Sequence, residues 1–208
     1  MKEIESYYPK AFLARQGTNL PELSERLNKV KADFEKTLNE LGDDVFYKEV
    51  SPGKWSPAEI ADHVVKANEL FIRALETLTS DAPMVKMPRG KVSDEGLPLS
   101  PQEEEPASDR DRADLARDLD ATIIELVALG EASEAAGKLA QTCLDQSFFG
   151  PMTGLEVLQL GISGTTKNSY LCRGARPCAP TVQSPLILWF CFNPVLPIKQ
   201  TRHHHVAI

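Results

Sequence analysis

Four stretches of the chain repeat apolar residues at helical spacing. The first follows "TNLPE", where Asn19 or Thr18 can cap and Pro21 suits the first turn. Leu23, Leu27, Val30, Phe34, Leu38 and Leu41 then recur at intervals of four and three, one stripe of a helix that Gly42 stops. "DDVFYKEVSPGKW" reads as a loop or short extended piece. The second helix opens at "SPAE", in which Ser56 and Glu59 form a capping box and Pro57 fits the first turn. Ile60, His63, Val64, Ala67, Leu70, Phe71, Ala74 and Leu78 share one of its faces, and Lys66, Glu69, Arg73 and Glu76 take the other.

From Asp81 to about Ser108 the chain is rich in proline and glycine and contains the acidic run Glu103 to Glu105, the composition of a long, mobile connection with a solvated face. A third helix is expected from about Ser108 to Leu129 or somewhat further, with Leu115, Leu119, Ile123 and Leu126 inward; "EASEAAGKLAQ" is weaker helix. The fourth begins at "GPMTGLEVLQLG", where Thr153 and Glu156 form a second capping box and Leu155, Val157 and Leu158 face inward. After Gly161 the pattern breaks: Ser163, Gly164, two threonines, five prolines and the apolar run "LILWFCF" carry no helical period.

Charge sharpens that break. Residues 1–161 hold 30 acidic and 18 basic side chains, whereas residues 162–208 hold 5 basic ones and no Asp or Glu. The expected organisation is therefore a helical bundle over 1–161 and an aberrant, disordered tail over 162–208. The formal charge of -7 argues against a protein that wraps a phosphate backbone. No secretory leader opens the sequence and no run of eighteen apolar residues occurs, so the expectation is a cytoplasmic protein without a membrane partner.

Candidate chemistry is sparse. Up to residue 161 there is one histidine, His63, on the apolar face of the second helix. Two readings stay open: a buried structural imidazole, or a metal ligand awaiting partners from facing helices. Cys172, Cys178 and Cys191 are too widely spaced for a structural zinc loop, and nothing orients His203 to His205 towards His63. No pair of carboxylates stands out for acid/base work.

"GKWSPAEIADHVVKANELF" resembles the second-helix signature of the DinB/YfiT-like four-helix bundles, in which a Trp and a capped helix start precede an inward histidine. "FFGPMTGLEVLQLG" resembles the lead-in to that family's fourth helix, so the resemblance spans nearly all of residues 1–161. It implies an all-α four-helix bundle, here with a truncated or altered fourth helix and an irregular tail. It further implies a divalent metal, zinc or nickel, held by three histidines, and an activity as thiol-dependent transferase, isomerase or hydrolase. A low-molecular-weight thiol or small electrophile would be the partner, and a homodimer the assembly. By that match His63 is the first ligand.

The family's other two ligands, an H-x-x-x-H, should follow Gly161 directly, where this chain has Ile162 and Thr166. Without them the chain is expected to be inactive and not to hold the metal stably; the alternative is a metal-free helical binding protein in which His63 is structural. One choice of codons for "GISGTTKNSY", read one base earlier, spells His-Phe-Gly-His-His-Glu-Lys-Gln-Leu and restores histidines at the places of Ile162 and Thr166; other choices give Asn, Asp or Tyr there. A frameshift is thus one origin of the tail, and a natural extension is the other.

Overall fold

The structure is a computed structural model that describes residues 2–49, 54–80, 82–94, 96, 98–99, 106 and 109–172. Its long helices are α1 (Leu20–Glu40), α3 (Pro57–Thr79), α4 (Arg112–Ala135) and α5 (Gly154–Cys172), with a one-turn α2 (Asp43–Phe46) between the first two. They pack in the cyclic order α1, α4, α3, α5, each against two neighbours, around one apolar core. The expected all-α bundle is the architecture found.

The helix starts lie where side chains can satisfy orphan backbone donors. Asn19 Oδ1 accepts from the Glu22 N–H at 3.1 Å. In α3 the Ser56 N–H donates to Glu59 at 2.8 Å and the Glu59 N–H to Ser56 Oγ at 3.2 Å, closing a capping box. Thr153 and Glu156 repeat it at α5, at 2.9 and 3.3 Å, and Lys10 Nζ donates to the same Glu156 carboxylate at 3.0 Å. Leu115, Leu119, Ile123 and Leu126 of α4 are fully buried, as are Leu23, Leu27, Phe34 and Leu38 of α1.

Three expectations are corrected. "DDVF" is not a loop: Gly42 ends one helix and starts α2, whose Phe46 is buried under the guanidinium of Arg112, 4.2 Å from the ring centroid. The connection after α3 contains strands, β2 (Val85–Lys86) and β3 (Lys91–Val92). β3 pairs antiparallel with β1 (Lys2–Glu3), and β2 runs parallel to β4 (Thr142–Gln146), which forms a hairpin with β5 (Gly150–Thr153). The hairpin turn is held by Gln146 Oε1, which accepts from the N–H groups of Phe148 and Phe149, and by Gly150 at φ +67°, where a Cβ would meet the Tyr7 ring at 2.7 Å. Helical periodicity could not reveal these short pairings: β1–β3 and β2–β4 join segments distant in sequence, and the β4–β5 hairpin is too short to show a period.

The third correction concerns α5, which does not stop at Gly161 but runs to Cys172, so the boundary drawn after Gly161 falls inside a helix. Once a capped helix is nucleated, adding residues costs little, and even poor formers such as Ser163, Gly164, Thr165 and Thr166 are carried along when their neighbours pack. Ile162 is 1% exposed and belongs to the core. The expected tail beyond Cys172 lies outside the described residues.

Candidate functional site

His63 lies in the second turn of α3, half-buried. Its ring packs against Trp55, which precedes the helix cap and is itself buried, with centroids 4.9 Å apart and planes inclined by 48°. The Ser56 capping box just beyond Trp55 fixes where α3 begins and hence how the two rings meet.

Beside it stands a charged cluster that the periodic reading passed over. The Asp62 side chain is wholly buried; it accepts from Arg110 at 2.9 Å and pairs with Lys66 at 3.1 Å, while Arg110 also reaches Asp118 of α4. These carboxylates hold the Arg110 guanidinium more firmly protonated than usual, the hydrogen bond it donates to Asp62 contributing most. The signal in the sequence was an acidic residue set between Ala61 and His63 on the buried side of the capped helix start "EIADHVV". One turn further on, Asn68 Nδ2 donates to Thr122 Oγ1 at 3.2 Å, a second buried tie between α3 and α4.

Across the bundle, α5 runs antiparallel to α3. Gly161 faces Phe71, where a Cβ would lie 3.7 Å from the ring, and Cys172 Sγ donates to the Pro57 carbonyl at 3.9 Å. The second half of α5 therefore lies alongside the half of α3 that carries His63. The donors implied by the resemblance are not there. Ile162 supplies a hydrocarbon side chain to the core. Thr166 borders a cleft of about 40 Å³ with Val30, Asp33, Ser169 and Tyr170, beside α1. Thr165 is 2% exposed and its hydroxyl has no hydrogen-bond partner among the described residues; Ser169 shares a hydrogen bond with Thr37 of α1 at 3.2 Å.

The residues present do not fit a three-histidine metal site. Among the described residues no group of three or more His, Cys, Asp or Glu is placed to hold an ion. Zinc takes imidazole, thiolate or carboxylate, and neither an isoleucine nor a neutral threonine hydroxyl replaces them. The nearby thiol does not help: burial pushes Cys172 up to about 12, so it is protonated at neutral pH, and Cys143 is pushed up to about 12 in the same way. Cys178, Cys191 and His203 to His205 lie outside the described residues.

A larger cleft of about 440 Å³ lies elsewhere, between the end of α1 and the start of α4, lined by Asn39, Asp43, Tyr47, Asp111 and Arg112 among others. Its cation is already committed: Arg112 donates to the carbonyls of Leu38 at 3.0 Å and Leu41 at 2.6 Å and to Asp43 at 2.9 Å, closing the C-terminus of α1.

Among the described residues no helix is long and apolar enough to cross a membrane. No curated protein and no solved structure gives a significant match. The family model described as the DinB superfamily matches residues 26–164, a span that opens within α1, contains the Trp55–His63 pair and closes three residues past Gly161. With that match over two thirds of the chain, on a four-helix bundle capped where the family motifs lie, the protein belongs to the DinB superfamily.

Proposed function

We propose that this chain carries the scaffold of a DinB metal-dependent transferase or hydrolase without a complete ligand set, and that it does not catalyse the reaction of its relatives. Ile162 carries this reading. It is apolar, 1% exposed and packed into the core at the place where a second imidazole is called for. Activation of a thiol or water on a divalent ion needs several donors converging on one point, and His63 alone cannot hold zinc or nickel stably. A low-molecular-weight thiol or small electrophile, a homodimeric assembly and a cytoplasmic setting belong to the same reading.

The packing of Trp55 on His63 favours one second reading, a metal-free helical binding protein in which the imidazole is structural. Metal analysis tests the first. After dialysis against a mild chelator, the purified chain should retain far less than one equivalent of zinc or nickel. One tightly held ion per chain, lost on His63→Ala, would overturn the proposal.

A further inference from the structure

We infer that α4 carries a second, outward seam on which two copies of this chain pair antiparallel, about a two-fold axis at Ile124. The inference gives a face to the homodimeric assembly in the reading above, and rests on that part of the reading alone.

The helix is apolar on two sides. Leu115, Leu119, Ile123 and Leu126 fill the core, as any bundle helix requires. The solvent side of the neighbouring helices is largely charged, with Glu25, Lys29 and Lys36 on α1 and Glu69, Arg73 and Glu76 on α3. That of α4 instead runs through Arg117, Ala121, Ile124, Ala128, Glu131 and Ala135, all exposed. Steps of four and three alternate along this row, which keeps it on one face and is the repeat by which helices pair along a seam. Ile124 is 54% exposed, the most open large aliphatic side chain among the described residues. A single exposed isoleucine is ordinary. One at the centre of such a seam, with an alanine a turn away on either side, is what a close helix–helix contact needs, because small side chains let the two axes approach.

Charge selects the partner and its direction. Arg117 and Glu131 stand two turns to either side of Ile124, at the same spacing in sequence. In an antiparallel pair centred on Ile124, Arg117 meets the partner's Glu131 and Glu131 meets the partner's Arg117, so one patch complements itself. A parallel pair in register would set arginine on arginine and glutamate on glutamate. The Arg117 side chain is 67% exposed; its bonds to Asp114 and Asp118 use Nη1 and Nε, and among the described residues Nη2 is not engaged. From Arg117 to Glu131 the seam is only about 21 Å long at 1.5 Å per residue. One helix pair of that length covers less than the roughly 800 Å² per partner of a standard interface, so the dimer should come apart on dilution.

Sedimentation equilibrium of the full chain tests this. The protein should pass from monomer to dimer as its concentration rises. Ile124→Glu should weaken association about tenfold or more, while circular dichroism and the urea midpoint of the dilute monomer stay unchanged, because the side chain lies outside the core. Arg117→Glu and Glu131→Arg should each weaken the dimer by setting like charges opposite, and the two together should restore it. A monomer at every concentration, whether the face is then bare or taken by another partner, overturns the inference and the homodimeric reading with it. A dimer indifferent to Ile124→Glu, or not restored by the double exchange, overturns this face or its register and leaves the homodimer standing. Metal analysis tests the incomplete ligand set separately from both.

Discussion

The indole of Trp55 lies against the imidazole of His63, centroids 4.9 Å apart, at the start of the helix that carries both the capping box and the buried Asp62. With Trp55 only 4% exposed, its emission should report on this contact. His63→Ala should cost about 1 kcal/mol through lost packing and shift Trp55 emission to the red as water gains access. Fluorescence in a Trp189→Phe background isolates the signal; an unchanged spectrum would show that the two rings do not support each other.

Breaking the buried charge cluster should cost more. Asp62→Ala leaves Arg110 and Lys66 without their shared carboxylate, but both cations are about a quarter to a third exposed and can recover water. The expected loss is therefore about 2 kcal/mol, below that of a fully buried pair. Arg117→Ala, which removes solvent-screened pairs with Asp114 and Asp118, should change stability far less than Asp62→Ala. Urea denaturation of the two variants compares them directly.

The orphaned hydroxyl of Thr165 offers a stabilising change. Thr165→Val keeps the shape and removes a buried oxygen with no partner among the described residues, so stability against urea should rise by about 1 kcal/mol. Ser169→Ala should move the other way, since it strips the Thr37 hydroxyl of a partner across the α1–α5 interface. Equal effects from the two substitutions would contradict the packing of this half of α5.

The start of α1 should respond to acid. The Glu22 carboxylate is held below the usual carboxylate range, chiefly by the Thr18 N–H, which donates to it at 2.9 Å, and further by Asn19. A depressed folded-state value means that the contribution of Glu22 is present above the ordinary carboxylate pKa and fades as pH falls through the lowered one. A side-chain NMR titration should place Glu22 below the ordinary glutamate range, and Glu22→Gln should remove that part of the acid dependence of stability.

The two buried thiols should be inert. Cys143 and Cys172, both pushed up to about 12 by burial, should escape a thiol reagent at neutral pH while the bundle is folded and react once it is denatured. Peptide mapping of the modified sites reads this residue by residue.

Much of the bundle was legible because its information is local. Ser56 with Glu59 and Thr153 with Glu156 mark helix starts through residues three apart, and the stripe from Leu115 to Leu126 is a periodicity within one segment. Asn19, Pro21 and Gly42 punctuate α1 for the same reason. Capping and amphipathicity act over one or two turns, so they survive in the order of the residues alone.

What joins distant segments did not. Nothing local in "TCLDQ" announces a strand whose two partners are residues 85–86 and 150–153, nor does Asp62 reveal that its cation arrives from Arg110, past a long connection. The continuation of α5 to Cys172 was likewise decided by tertiary packing. Ile162 finds a place in the core, and the Cys172 thiol reaches the first turn of α3, so a segment with poor helical propensity stays helical. The sequence by itself determined that His63 stands in the second turn past a capped helix start, and that Ile162 and Thr166 offer no imidazoles to meet it. Only the tertiary structure decided that Ile162 is sealed in the core and that Arg110 reaches Asp62, because both depend on segments meeting across the bundle rather than on neighbours along the chain.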